Sequence, residues 1–260
     1  MARLCPLFSG SSGNSYYIGS RSEGVLIDAG VSCRRIEGVL GLCGIAPQAV
    51  RAILVTHEHT DHTSGIRVLA RKYGLPVYGS PGTLEAIAPG LEGVELVDIS
   101  GGTALAGMQV RAFPVSHDCA QPVGYRIDTA DGRKFCFATD LGCLTGMVKE
   151  QLLGCDAVVL ESNHDVEMLR NGPYPAYLKR RILSSHGHLS NAACAGILPG
   201  LAESGVKRFI LGHLSSENNT PQLAAQAGIA ALTQAGYVQE VDYLLETAPR
   251  ENTKGRAVIF

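Results

Sequence analysis

Residues 53–65 read ILVTHEHTDHTSG and place four side chains that bind metals strongly within six consecutive positions. These four are His57, His59, Asp61 and His62. The apolar run before them is typical of a buried strand, and the apolar residues after Gly65 recur at helical spacing. The cluster is therefore predicted to lie on a loop between a strand and a helix. The first two histidines are spaced to reach one ion and the last two ligands a second, which predicts two adjacent metal sites.

The hexapeptide from His57 to His62 resembles the HxHxDH signature of the metallo-β-lactamase superfamily. Other stretches match that family in chain order: VLIDAG at 25–30, PVSHD at 114–118, FATDLG at 137–142 and ILGHLSSEN at 210–218. Three more resemble its bacterial YycJ (WalJ) branch: SGSSGNS at 9–15, ESNHD at 161–165 and SSHGHLSN at 184–191. That branch is associated with exonuclease activity on DNA.

The resemblance implies an α/β fold of four layers, an αββα sandwich with two mixed β-sheets covered by helices. It also implies the full ligand set: His57, His59 and His117 on one ion, Asp61, His62 and His213 on the other, and Asp140 bridging the two. In the family, the aspartate that matches Asp28 supports the metal loop through hydrogen bonds. Imidazole and carboxylate ligands accept manganese, zinc or iron, so the expected cofactors are two divalent ions of any of these.

Two ions held a few ångströms apart lower the pKa of a bound water, and the expected attack on phosphorus is by a hydroxide between them. The sugar oxygen that departs needs a proton. By resemblance to the RNA-processing members of the superfamily, His188 is expected to donate that proton and Glu161 to orient it. Asp61 is counted as a catalytic residue as well as a ligand. A helix-cap histidine near a strand-end carboxylate is the alternative interpretation of His188 and Glu161.

Six further polar residues are predicted substrate contacts. The glycine-rich turn at 9–14 lacks the Lys-Ser or Lys-Thr of a nucleotide-binding phosphate loop and is either a hairpin turn or a phosphate-holding element at the mouth of the site. The spacing assigns no role to His164 and His186, which are included with Asn163 as substrate contacts only. The predicted contacts are Ser11, Ser12, Asn14, Asn163, His164 and His186.

Composition sets broad limits. The 260 residues, 45% of them hydrophobic, can bury a full core, and no linker divides them, so a single domain over 1–260 is predicted. No signal peptide or apolar run of membrane-spanning length is found, so a soluble cytoplasmic protein without a membrane partner is expected. The eight cysteines form no CxxC pair and are predicted to be free, with Cys136 and Cys194 in the core.

The net charge of −2 gives no global attraction for a polyanion, so nucleic-acid binding has to rest on the metals and on a local basic patch. The stretch 174–181, YPAYLKRR, combines aromatic and basic side chains that can stack on bases and neutralise phosphates. An amphipathic helix with a solvated cationic face is the equally open alternative. The Ser32–Leu42 helix carries Arg34 and Arg35, which are interpreted as a solvated face.

The leading functional hypothesis is a metal-dependent phosphodiesterase, an exonuclease that degrades DNA from the 5′ end. DNA is favoured over RNA as the partner, because no inserted domain or tRNA-clamping arm is visible. The alternatives are a small-molecule phosphodiesterase, or a hydrolase of esters, lactones or β-lactams on the same metal site. A metal-bearing interaction module with a decayed site is a further alternative, disfavoured by the complete ligand set. The sequence does not predict an oligomeric state.

Overall fold

A computed structural model describes residues 2–259 of the chain. Its strands are β1 (Arg3–Phe8), β2 (Ser15–Gly19), β3 (Gly24–Ile27), β4 (Val50–Leu54), β5 (Val77–Gly79), β6 (Leu96–Asp98), β7 (Thr103–Leu105), β8 (Met108–Pro114), β9 (Val123–Asp128), β10 (Lys134–Ala138), β11 (Ala157–Glu161), β12 (Arg208–Gly212), β13 (Leu244–Thr247) and β14 (Val258–Ile259). Its helices are α1 (Cys33–Leu42), α2 (Thr60–Thr63), α3 (Ile66–Tyr73), α4 (Pro81–Ile87), α5 (Gly146–Leu152), α6 (Val166–Asn171), α7 (Ala176–Ile182), α8 (Asn191–Glu203) and α9 (Pro221–Gln234).

The strands form two seven-stranded sheets, with the orders β14-β1-β2-β3-β4-β5-β6 and β13-β12-β11-β10-β9-β8-β7. Each sheet contains both parallel and antiparallel pairs. The predicted α/β class with two mixed sheets is therefore confirmed. No helix among the described residues is long and apolar enough to cross a membrane.

The backbone divides into two compact units, the first made of residues 2–112, 119–133 and 249–259, and the second of residues 113–118 and 134–248. Each unit has a hydrophobic core of its own. The assignment of 1–260 to one domain stays a prediction.

In the first unit, β3, β4, β5 and β6 run parallel, with Ile27 opposite Leu54. The four residues of β3 are all buried, as are four of the five in β4, which explains their nearly continuous apolar sequence. The carboxyl ends of parallel strands meet at one edge of a sheet. Asp28 directly follows β3 and His57 lies just beyond β4, so both side chains leave the sheet at this edge.

In the second unit, β10, β11, β12 and β13 are consecutive parallel neighbours. Asp140, Glu161 and His213 stand at or just beyond the carboxyl ends of the first three of these strands. Hydroxyl and carboxylate caps start the helices that follow: Asp165 accepts from Met168 N at the start of α6, and Ser190 accepts from Ala193 N at the start of α8.

The main departures from the sequence predictions are short helices. The metal loop contains the four-residue helix α2, stabilised by a hydrogen bond from Thr63 Oγ1 to His59 O (3.0 Å). Residues 166–171 form α6, which the polar sequence at 161–165 did not suggest, and residues 176–182 form the helix that was one of two alternatives for the basic stretch. Strand β4 begins at Val50, three residues before the apolar run that starts at Ile53. The sequence did not reveal this start because the exposed Arg51 interrupts the apolar pattern.

Candidate metal centre

The two histidines at the start of the metal loop are aimed at one point. His57 Nε2 and His59 Nδ1 lie 3.1 Å apart, and their rings meet nearly edge to face. Two nitrogen ligands at about 2.0–2.1 Å from a tetrahedral zinc ion are separated by about 3.3 Å. The spacing of these two nitrogens therefore fits ligation of a common ion.

Asp28 and Thr56 determine which nitrogen of each ring is available. Thr56 donates both its backbone N–H and its hydroxyl to the Asp28 carboxylate (2.8 Å each), and His62 Nδ1 lies 2.7 Å from Asp28 Oδ2. Because the Thr56 hydroxyl proton is committed to Asp28, His57 Nδ1, 3.0 Å from Thr56 Oγ1, is the donor of that pair. Both His57 and His62 therefore carry their proton on Nδ1 and present the Nε2 lone pair, as metal-binding histidines with an outer carboxylate do.

Asp28 is fully buried. Burial raises the pKa of its carboxyl, while the charge and hydrogen bond of His62 and the donors of Thr56 act in the opposite direction. Its φ of +60° is unusual for a residue with a side chain. The sequence predicted Asp28 as the support of the metal loop, and it lies under two of the loop's histidines.

Backbone contacts hold the loop against the segment after β3. Asn14 N donates to Asp61 O (2.8 Å), and Ala29 N donates to His62 O (2.9 Å). A Cβ added at Gly30 would lie 1.6 Å from Asp61 O, so only glycine permits this approach. The Asn14 amide also lies 3.0 Å from His62 Nε2 and 3.4 Å from Asp61 Oδ2. Asn14 is thus buried inside the loop, beside two predicted ligands.

In the second unit, a single buried carboxylate gathers two histidines. Glu161 Oε1 lies 2.8 Å from His188 Nδ1 and 2.8 Å from His213 Nδ1. Glu161 Oε2 accepts the backbone N–H groups of Leu141 and Leu189 at 3.0 Å each. Burial opposes ionisation of Glu161, but the charges and hydrogen bonds of His188 and His213 outweigh it and hold the pKa of the carboxyl below its usual range. An ionised carboxylate only accepts, so both histidines donate from Nδ1 and present Nε2.

Ligand-type atoms of Asp140, Glu161, His188 and His213 all lie within 4.8 Å of one another. His213 and Asp140 are buried, and His188 keeps 18% of its side chain exposed. Asp140 and His213 have φ values of +55° and +53°. Left-handed backbone at a residue with a side chain is strained and concentrates at functional sites. His188 is therefore the member of this cluster with access to solvent.

His117 comes from the strand end after β8 and is fixed by the loop at 183–188. Its Nδ1 lies 3.1 Å from Gly187 O, which again leaves Nε2 as the nitrogen with a lone pair. Ser116 Oγ donates to Ser185 O (2.7 Å). Burial lowers the pKa of His117, and the charge of Asp140 opposes that effect. A neutral imidazole is the form that binds a metal ion.

A buried network of amides and hydroxyls, not predicted from the sequence, ties together the three loops that carry Glu161, His188 and His213. Ser162 Oγ donates to Asn191 Oδ1 (2.7 Å), and Asn219 Nδ2 donates to the same oxygen (2.9 Å). Asn219 Nδ2 also approaches the carbonyl oxygens of Ser162 (2.8 Å) and Asn163 (3.0 Å). The only signal in the sequence is an asparagine shortly after each predicted strand or cap, which is typical of ordinary turns as well.

The predicted substrate contacts divide by exposure. Ser11, Ser12 and His186 are exposed. Asn14, Asn163 and His164 are buried, and Asn163 Nδ2 donates to His213 O (2.8 Å). Both ring nitrogens of His164 are buried without a hydrogen-bond partner. Burial lowers the pKa of His164 to about 4, against the opposing charge of Glu161. The role of all six as substrate contacts stays a prediction.

The donors suit the cofactors that the resemblance implies. Histidine nitrogens with assigned lone pairs and carboxylate oxygens are the set that zinc, manganese and iron accept. The eight cysteines are free, and six of them, including Cys136 and Cys194, are buried, as predicted for those two. The structure therefore offers buried histidine and aspartate clusters that are consistent with a dinuclear metal site.

Known proteins match this chain along most of its length. A model of the beta-lactamase superfamily domain matches residues 24–214. Exodeoxyribonuclease YycJ of Bacillus anthracis is 37% identical over 254 residues, which cover 95% of this chain and 96% of that protein. Exodeoxyribonuclease WalJ of Streptococcus pneumoniae strain D39 is 38% identical over 252 residues, which cover 94% of this chain and 93% of that protein.

The fold also matches that of a known structure. The crystal structure of the metallo-beta-lactamase fold protein YhfI from Bacillus subtilis superposes with a TM-score of 0.72 at 14% identity, covering 99% of this chain and 98% of that one. A match at such low identity shows the fold alone, and it agrees with the sandwich expected from the sequence. Together with the family match over residues 24–214, it leads to one conclusion. The chain belongs to the metallo-β-lactamase superfamily and is a metal-dependent hydrolase.

Proposed function

We propose that the protein is a metal-dependent exonuclease that degrades DNA from the 5′ end. The observation that carries the proposal is the hydrogen bond between Glu161 Oε1 and His188 Nδ1, which gives a partly exposed histidine a fixed tautomer beside the buried His213. The names of the relatives, both exodeoxyribonucleases at 37–38% identity, support DNA as the substrate. The direction of digestion rests on the sequence argument alone.

The ligands of the two proposed ions follow the family pattern. His57, His59 and His117 would hold one ion, Asp61, His62 and His213 the other, and Asp140 both. Each of these histidines except His59 has a hydrogen-bond partner on Nδ1 that leaves Nε2 for the ion. When bound, such ions supply positive charge to the phosphate and make water a nucleophile near neutral pH. Manganese, zinc and iron all fit the donors.

His188 is the proposed proton donor. Its Nδ1 proton is shared with Glu161, so the proton that it can give up is on Nε2 of the imidazolium form. Glu161 stabilises that cation and keeps the ring orientation fixed while the proton leaves. A sugar alkoxide is a poor leaving group, so this donation has its largest effect on an unactivated phosphodiester. Ester or lactone hydrolysis makes a smaller demand on such a pair.

A second candidate is a small-molecule phosphodiesterase on the same residues. The net charge of −2 favours it, because the chain as a whole does not attract a polyanion. Esters, lactones and β-lactams are the remaining substrate classes. Their hydrolysis should depend less on His188 than hydrolysis of either kind of phosphodiester.

The test is digestion of DNA and RNA labelled at the 5′ or 3′ end, after chelation and return of manganese, zinc or iron. His59→Ala serves as the blank. Progressive metal-dependent release from the 5′ end of DNA, lost in the blank, is the expected result. Turnover of bis(p-nitrophenyl) phosphate without cleavage of either polymer would replace the exonuclease by the small-molecule phosphodiesterase. Bound metal without turnover of any phosphodiester or ester would overturn both.

A further inference from the structure

Helix α7 is anchored to the segment that carries His117. Arg181, in its last turn, forms an ion pair with Asp118 through both Nε and Nη2, the second at 3.0 Å from Oδ1. This pairing raises the pKa of Arg181 and lowers that of Asp118, although burial of Asp118 works against the second effect. Asp118 directly follows His117, and the loop after α7 leads to His188. One end of α7 is thus fixed next to a proposed ligand and the proposed proton donor.

Tyr177 lies on the same face of α7 as Arg181, because residues four apart on a helix are neighbours, about 5–6 Å between Cβ atoms. Its side chain is 67% exposed, and every other Tyr or Phe of the described chain is buried or half-buried. An aromatic ring exposed to this extent forfeits the burial that usually stabilises it. Tyr177 therefore does not contribute mainly to the core of the second unit, and a role at the surface has to be considered.

The charge around this face is positive, in contrast to the chain as a whole. Between Met168 and Ala202 there is no aspartate or glutamate, while Arg170, Lys179, Arg180 and Arg181 all fall in that stretch. Arg180 is exposed and next to the anchored Arg181. Lys179 Nζ donates to the backbone oxygen of Arg170 (2.7 Å). Arg181 is paired with Asp118 and Arg170 with Glu167, so Lys179 and Arg180 are the cations of this stretch that have no acidic partner among the described residues. An exposed ring beside two such cations is the surface expected for a single nucleic-acid strand.

We propose that this face of α7 binds the single-stranded part of the DNA next to the scissile phosphate, with Tyr177 stacked on an unpaired base and Arg180 against a phosphate. The inference rests on the proposed exonuclease function and adds a substrate class to it, namely DNA with unpaired terminal nucleotides. Both faces of a base inside a duplex are covered by its neighbours, so a ring can stack on such a base only after it has left the duplex stack. Stacking is tolerant of sequence, so binding should not depend on which base occupies the position.

The test uses the full-length protein with three variants: Tyr177→Ala, Tyr177→Phe and Arg180→Gln. Fluorescence anisotropy gives Kd for a single-stranded oligothymidylate and for a blunt duplex, with chelator present so that neither is cleaved. We expect Tyr177→Ala to raise Kd for the single strand about tenfold and Tyr177→Phe to retain wild-type binding. Arg180→Gln should lower the slope of log Kd against log salt by about one. Binding of the blunt duplex should not respond to Tyr177→Ala.

A second readout separates binding from chemistry. In degradation of single-stranded DNA with the metal restored, Tyr177→Ala should raise KM and leave kcat near the wild-type value, because Tyr177 does not touch the reacting atoms. Val241→Ala, at a side chain that is 79% exposed on another segment, is the control for exposed apolar surface in general. It should change neither constant.

The outcomes distinguish this inference from the proposed function. If DNA is degraded and Tyr177→Ala binds and degrades the single strand as the wild type does, the exonuclease stands and the α7 surface is wrong. Equal weakening of single strand and duplex would also overturn it, because stacking would not be the cause. If no DNA is degraded but single-strand binding still depends on Tyr177, the surface stands and the exonuclease is wrong.

Discussion

The metal loop at 57–62 and the Glu161 cluster each use one buried carboxylate to orient two histidines, but they assemble those histidines differently. In the loop, Asp28 binds His62 directly and His57 through Thr56, and both histidines come from one hexapeptide. In the cluster, Glu161 Oε1 binds His188 and His213, which are 25 positions apart, as their numbers show. The local motif needs little besides its loop. The Glu161 cluster depends on the separate loops that position His188 and His213.

The same contrast appears in the ionisation of the two carboxyls. Asp28 is fully buried and its pKa is raised, whereas that of Glu161, equally buried, is lowered. Asp28 has one histidine and the two donors of Thr56 as partners, whereas Glu161 has two histidines and two backbone N–H groups. Donors in sufficient number thus keep a carboxylate ionised inside a protein. Glu161 is consequently the residue on which the second cluster depends most.

The largest expected effect is therefore at Glu161. Glu161→Gln replaces one acceptor oxygen by an N–H₂ group, which cannot serve both histidines and both backbone donors. We expect DNA turnover to fall by about 10³-fold, as the sum of lost proton donation and weakened ligand orientation. Steady-state degradation of labelled DNA measures it, with bound metal determined on the same samples.

His188→Ala is the matched variant for that experiment, because it removes the proposed proton donor and leaves Glu161 bound to His213. It should lower DNA turnover strongly while hydrolysis of bis(p-nitrophenyl) phosphate, whose leaving group needs no proton, stays near wild type. An equal loss on both substrates would contradict the assignment of His188 and reduce the cluster to a structural feature.

The next effect concerns pH and the second unit alone. The pKa of buried His164 is lowered to about 4 from an ordinary 6.5. Between these two pH values the unfolded chain therefore binds a proton on His164 that the folded chain does not bind. This contribution to stability is present above pH 6.5 and is lost as the pH falls from 6.5 to 4, by up to about 3 kcal/mol. Urea unfolding with chelator present, at pH 7.5 and pH 4.5, measures the difference.

His164→Leu should flatten that pH dependence, because leucine has no proton to bind in either state. His186→Leu, at an exposed histidine in the same unit, should leave the dependence as in the wild type. If His164→Leu unfolds with the wild-type pH dependence, another group controls the acid sensitivity of this unit.

A somewhat smaller effect is expected at Asn219, which helps to hold the loops that the dispersed cluster needs. Asn219→Ala removes the acceptor of the buried Asn191 amide and the donor to the Ser162 carbonyl oxygen, at a cost of about 2 kcal/mol in the free energy of unfolding. Denaturant unfolding measures it. Asn171→Ala, at an exposed asparagine at the end of α6, is the control and should be nearly neutral. Wild-type stability for Asn219→Ala would show that the loops are held in some other way.

The smallest effect tests the metal loop. Asp28→Asn keeps a residue type that tolerates a φ of +60° but gives up the charge and one acceptor. We expect metal affinity to fall about tenfold, with turnover restored by excess metal. Metal titration of the chelated protein measures it. Asp28→Ala would add backbone strain to the same loss, so a similar affinity for both variants would mean that the backbone conformation contributes little.

The sequence was sufficient to predict the metal loop at 57–62 but not the whole Glu161 cluster. The histidine motif is recognisable because its ligands are close in the chain and follow an apolar run, and the supporting role of Asp28 was assigned through the family resemblance. The pairing of Glu161 with His188 was available only through family resemblance. That Glu161 also binds His213, and that Ser162, Asn191 and Asn219 join three loops, depends on contacts between distant segments. No periodicity or cap signal records such contacts.

Gly30 shows how much of the metal loop is specified away from its ligands. A single additional carbon at this position would overlap the Asp61 carbonyl oxygen, so the loop can close only over a residue that has no side chain. In a library that varied both the motif and this position, selection for metal binding should retain glycine here as strictly as it retains the histidines. The width of one methyl group then sets which sequences can form the loop at all.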